Sequence, residues 1–82
     1  SQGGLSNVLV DMRILMKMAL DMCCNGIILC HNHPSGTLLP SAEDRALTKR
    51  VASACELVDL RLLDHVIITK EDYYSFANHG EL

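Results

Sequence analysis

The chain has 82 residues, 49% hydrophobic and 21% charged, with a net charge of −3. That is material for one small domain, which would bury about 60% of its unfolded surface. The apolar runs are too short to span a membrane, and Lys49-Arg50 is the largest basic cluster, so the charge argues against direct nucleic-acid binding.

Ser1–Gly4 reads as a turn-like entry and Leu5–Val10 as a short extended piece. Asp11 is suited to cap a helix over roughly residues 11–24. Ile14, Leu15, Met18, Ala19, Met22 and Cys23 recur at spacings of three and four and predict its buried face. Met12 and Met16 read as core or flank packing, and Asn25-Gly26 as the helix stop. Ile27-Ile28-Leu29-Cys30 predicts a buried strand. Pro34-Ser35-Gly36 ends it, and a loop runs to Pro40. Ser41 is a good N-cap for a second helix with Glu43 and Asp44 in its first turn. Leu47, Val51, Ala54 and Val58 carry its apolar stripe to about Asp59. Arg61–Thr69 predicts a second buried strand, Lys70-Glu71-Asp72 a turn, and Tyr73–Ala77 a short final strand. The alternation of helix and strand gives an α/β layered domain with no linker.

The chemistry concentrates between Cys30 and Asp44. On a strand His31 and His33 share a face, with Cα atoms roughly 6.6 Å apart. Two imidazoles so placed can converge on one ion at about 2.0–2.1 Å each. Asp44, at the start of the following helix, can add a third ligand at the same strand end, where ligands sit in open α/β sheets. A fourth position would then hold water, and Ser41 is placed to hydrogen-bond that water or a developing oxyanion. Each residue also has a plainer reading. Histidines at a strand end are often incidental, and Ser41 with Asp44 makes a helix cap whether or not a metal is near.

His31-x-His33, seven residues, then Ser41-x-x-Asp44 resembles the signature of the JAMM (MPN) metalloproteases. The finer likeness is to bacterial RadC-like JAB domain proteins. It is carried by Gly3-Gly4-Leu5, His31-Asn32-His33-Pro34-Ser35-Gly36, Pro40-Ser41, Glu43-Asp44, Thr48, Leu62-Leu63-Asp64-His65 and Ser75-Phe76. The resemblance covers nearly the whole chain. It implies a cytidine-deaminase-like α/β layered sandwich, with His31, His33 and Asp44 as ligands of one zinc ion and Ser41 as a catalytic residue. It implies zinc-dependent attack of water on an amide or isopeptide bond of a peptide or protein substrate. A non-catalytic JAB-type interaction module is the alternative. RadC-like proteins carry the label DNA repair, to which the acidic charge lends nothing.

The chain departs from the family pattern at one point. The family's proton-shuttling glutamate lies upstream of the histidines, and here Asp11 and Asp21 are the acidic residues before His31. The expectation is a chain that begins part-way through the fold, as the C-terminal part of the domain. Open sheet edges would then favour a homo-oligomer. The four cysteines, Cys23, Cys24, Cys30 and Cys55, lack the spacing of a disulfide framework and read as reduced thiols in a cytoplasmic protein. Cys30 points away from His31 and is expected in the core. Asp64-His65 reads as an ordinary polar pair or as a partner for a zinc-bound histidine, the former being simpler. His79 reads as solvated.

Overall fold

The computed structural model describes residues 11–82. The extended piece expected over Leu5–Val10, and the Gly3-Gly4-Leu5 match, lie outside the described residues. The described elements are α1 (Met12–Asp21), β1 (Gly26–Asn32), α2 (Ala42–Leu57), β2 (Arg61–Ile68) and β3 (Tyr73–Ser75). They form a mixed α/β structure with a three-stranded sheet in the order β1-β2-β3.

Asp11 caps α1, its carboxylate accepting from the Arg13 N–H at 3.0 Å. The helix stops earlier than its apolar pattern suggests. Met22 is the C-cap, and Cys23 takes the left-handed conformation at φ 53 that releases the chain. Gly26 is therefore the first residue of β1 and not a helix stop. A Cβ there would lie 2.9 Å from the Leu63 side chain. The buried face of α1 also differs from the expectation. Met12, Leu15, Met16 and Ala19 face the core, whereas Ile14, Met18 and Met22 are exposed. Two apolar stripes wind round this helix, and periodicity alone does not choose between them.

β1 and β2 are parallel, joined through α2, with Leu29 opposite His65 and His31 opposite Ile67. An irregularity between Ile27 and Ile28 shifts the register there. β3 returns antiparallel, pairing Ile67 with Tyr74. Alternation then sorts β1 by face. Ile27 and Leu29, together with Leu62 of β2, pack on Ala19 of α1 and on Val51, Cys55 and Leu60. Ile28 and Cys30 are exposed, which corrects the expected two-sided burial of the strand and the core placement of Cys30. Cys30 does point away from His31, but the described residues leave that side of the sheet open.

α2 begins as its sequence predicts. Ser41 Oγ accepts from the Asp44 N–H at 3.0 Å, and Asp44 Oδ2 accepts from the Ser41 N–H at 2.7 Å. The helix buries Thr48, Val51 and Cys55, while Val58, expected to extend the stripe, is largely exposed. A second cluster of Ile67, Tyr74 and Phe76 lies beyond the first, and Leu38 from the loop after β1 packs on it.

Candidate metal centre

The loop between β1 and α2 is anchored at both ends. The His33 N–H donates to the Ile68 carbonyl at 3.0 Å, which carries the β1–β2 pairing one residue past the strand. The Gly36 N–H then donates to the His33 carbonyl at 3.0 Å, closing a tight turn with Pro34 at its second position. Gly36 has φ +83, a conformation available to glycine at little cost. Leu38 and the buried Pro40 hold the remainder against the protein, and the chain enters α2 at Ser41.

This path brings His31, His33 and Asp44 together. One ligand atom from each lies within 4.8 Å of the others. His31 Nε2 and His33 Nε2 are 3.2 Å apart. His31 Nε2 is 3.0 Å from Asp44 Oδ1, and His33 Nε2 is 3.0 Å from Asp44 Oδ2. His33 Nδ1 lies 2.7 Å from the Thr37 carbonyl, an oxygen that can only accept. The Nδ1–H is therefore the donor there, and in the neutral ring Nε2 turns a bare lone pair toward the carboxylate.

Two facing acceptors at 3.0 Å repel unless a proton or a cation lies between them. The donor set of two imidazole nitrogens and one carboxylate suits zinc, and it leaves the fourth tetrahedral position to water or substrate. The residues present thus fit the ion that the resemblance implies.

The electrostatics keep the site in its ligating form. Burial lowers the His31 pKa against the pull of Asp44, so the ring is neutral at pH 7. Burial alone would raise the Asp44 carboxyl, but hydrogen bonding from Ser41 and then the two histidines outweigh it, and the group stays below its ordinary value. Asp44 thereby combines two tasks: it closes the helix cap and faces both imidazoles. Its neighbour Glu43 is exposed. Ser41 Oγ accepts within the cap, which leaves its hydroxyl hydrogen free for another acceptor.

His65 is the group whose position the sequence left undecided. It is completely buried, with its ring stacked on Phe76 at a centroid distance of 4.6 Å and an interplanar angle of 7°. His65 Nε2 is 2.9 Å from His31 Nδ1, and His65 Nδ1 is 2.6 Å from Thr48 Oγ1. Burial, followed by the nearby His31, lowers its pKa to about 4. Its neighbour Asp64 faces elsewhere, accepting from the Ser75 hydroxyl at 2.5 Å and the Ala77 N–H at 3.0 Å. The two halves of the Asp64-His65 pair thus serve different structures. His79 is exposed, as expected, although its ring stacks on Tyr74.

The fold and this cluster define a mixed α/β domain with a candidate cation site at the carboxyl end of its first parallel strand. The chain belongs to the RadC-like JAB domain family, which it matches over residues 1–81. It is similar to bacterial proteins of the UPF0758 group. A protein of Flavobacterium johnsoniae is 48% identical over 80 residues, 98% of this chain and 35% of that protein. One of Pseudomonas fluorescens is 49% identical over 82 residues, 100% of this chain and 37% of that protein. One of Porphyromonas gingivalis is 47% identical over 83 residues, again 100% of this chain and 37% of that protein. The chain spans about a third of the length of these curated relatives. No helix among the described residues is long and apolar enough to cross a membrane.

Proposed function

We propose that this chain is the zinc-holding part of a JAMM-type hydrolase that cleaves an amide or isopeptide bond in a peptide or protein. The observation that carries the reading is the convergence of three ligand groups: His31 Nε2 and His33 Nε2 lie 3.2 Å apart, and each is 3.0 Å from an oxygen of Asp44. The family membership supports it, and so does the position at the carboxyl end of a parallel strand. The proposal includes a single JAB domain of layered cytidine-deaminase-like form. The free thiols of Cys23, Cys24, Cys30 and Cys55 support a reducing, cytoplasmic setting.

The roles divide by residue. His31, His33 and Asp44 would hold the ion. When bound, zinc polarises a carbonyl and lowers the pKa of water from about 16 to about 7. Ser41 Oγ accepts from the Asp44 N–H, so its hydroxyl hydrogen would be free to donate to the oxygen that gains charge as a carbonyl is attacked. The acidic residues before His31 are Asp11 and Asp21, and neither is assigned the role of general base.

The test is zinc analysis of the intact protein purified without chelator, set beside its His33→Ala variant. About one zinc in the parent and almost none in the variant is the expected result. Equal zinc in both sinks the site. Mass spectrometry of new amino termini in a peptide mixture then reads the hydrolysis. That residues 1–30 hold no glutamate favours one second reading, an interaction module that keeps the ion without turnover. It predicts zinc in the parent and no new termini at any loading.

A further inference from the structure

We propose that His65 is a positioning residue that presets the His31 tautomer, so that the Nε2 lone pair faces the cation site before any ion arrives. The inference rests on the metal-binding reading of His31, His33 and Asp44 and extends it to a buried chain of three groups behind them.

The chain starts at a group that can only accept. Thr48 Oγ1 lies 2.8 Å from the Asp44 carbonyl oxygen. Without a hydrogen between them, those two oxygens would repel, so the hydroxyl donates to the carbonyl. A hydroxyl has one hydrogen, and that hydrogen is now committed. Toward His65, Thr48 Oγ1 can only accept, so His65 Nδ1 carries the proton across the 2.6 Å contact. In the neutral ring His65 Nε2 is then an acceptor. At 2.9 Å it faces His31 Nδ1, which must donate. The proton of neutral His31 is thereby held at Nδ1, and Nε2 is left bare on the side of Asp44 Oδ1.

Run the other way, the same contacts fail at both ends. The Thr48 hydroxyl would leave two lone pairs facing the Asp44 carbonyl at 2.8 Å. A hydrogen would also sit on His31 Nε2, where an ion must bind. Stacking on Phe76 and complete burial restrict the His65 ring, so it has little freedom to flip and reverse the direction. His33 reaches the same end by a shorter route, its Nδ1–H held by the Thr37 carbonyl. The two ligating rings are thus oriented by different means, one through backbone and one through a second imidazole.

The experiment uses the intact protein with histidine labelled in the ring nitrogens, studied by NMR at pH 8 after chelator treatment, with zinc affinity measured by competition. The expected spectrum shows His31 and His65 both protonated at Nδ1. His31 protonated at Nε2 overturns the proposal. Replacing His65 by Leu removes the acceptor and should weaken zinc binding about 10- to 100-fold. His65→Gln places an amide oxygen where Nε2 stood and should restore most of the affinity. Parental affinity in a folded His65→Leu protein, or equal losses in the two variants, also overturns it. If His65→Leu does not fold, the tautomer spectrum of the unaltered protein decides alone. A parent that takes up no zinc sinks the metal reading, and the same spectrum still judges the relay.

Discussion

Where β1 and β2 begin, the structure is held by Ala19, Val51, Cys55 and Leu60, with Leu15, Ile27, Leu29 and Leu62 around them. Where β1 ends, apolar packing gives way to directed contacts. Thr48, His65 and Ser75, the buried polar side chains among the described residues, all lie toward that side, and each has a named hydrogen-bond partner. The first region tolerates a change of shape at a cost in stability. The second tolerates little change in which atom carries a proton, because each donor there has one acceptor. A domain this small divides the work: dispersion and burial secure the fold, and hydrogen-bond polarity prepares the site.

Acid should separate the two regions most strongly. In the metal-free protein the folded-state pKa of His65 is about 4, against about 6.5 in the unfolded chain. Between those values the unfolded chain binds a proton that the folded chain refuses, so stability is complete above pH 6.5 and falls as pH drops toward 4. The gap corresponds to about 3 kcal/mol at most. His31 acts in the same direction. Asp44 and Asp64, both held below the ordinary carboxyl value, extend the loss to lower pH. Urea midpoints taken with chelator from pH 7.5 to 4.5 should show the decline, and a level profile would remove the distinction drawn between the two regions.

The next largest effect lies in the apolar region. Val51→Ala should cost about 2 kcal/mol in a urea melt, because the side chain is completely buried and its neighbours close only part of the space. Zinc affinity should be unchanged. A loss of affinity there would show that the site depends on core packing as much as on its own hydrogen bonds. The smallest effect belongs to Ser41→Ala, which removes the helix cap and should cost about 1 kcal/mol. Zinc content should stay at the parental level while any amide hydrolysis falls. Loss of zinc in that variant would mean that the cap, through Asp44, holds the ligand geometry.

How much could be read without coordinates followed the same division. The α2 start was legible because a cap and its first turn are local: Ser41 and Asp44 are three residues apart and bond each other. The shared direction of His31 and His33 was legible because strand alternation fixes it. The α1 face was not, since Ile14 and Met18 are as apolar as Met12 and Met16, and the choice belongs to what packs against the helix. Nor was the exposure of Cys30 legible, because an apolar run gives no sign of how many faces of its sheet are covered. For His65 the sequence offered the role of partner to a metal-binding histidine but favoured the plainer polar pair, for a related reason. The two rings are 34 residues apart in sequence and meet through the parallel pairing of β1 and β2. That pairing was itself inferable from a strand-helix-strand pattern, but the register was not. A buried histidine beside an aspartate in an apolar strand was the one signal available.

The flat stacking of His65 on Phe76 gives the molecule a spectroscopic label of its own. An imidazole lying face to face with a phenyl ring sits in the ring's shielding region, so the carbon-bound protons of His65 should resonate well upfield of their position in the unfolded chain. The chain has no tryptophan to report on its interior by fluorescence. That displaced resonance can take its place, marking by its loss the moment the sheet and its last strand come apart.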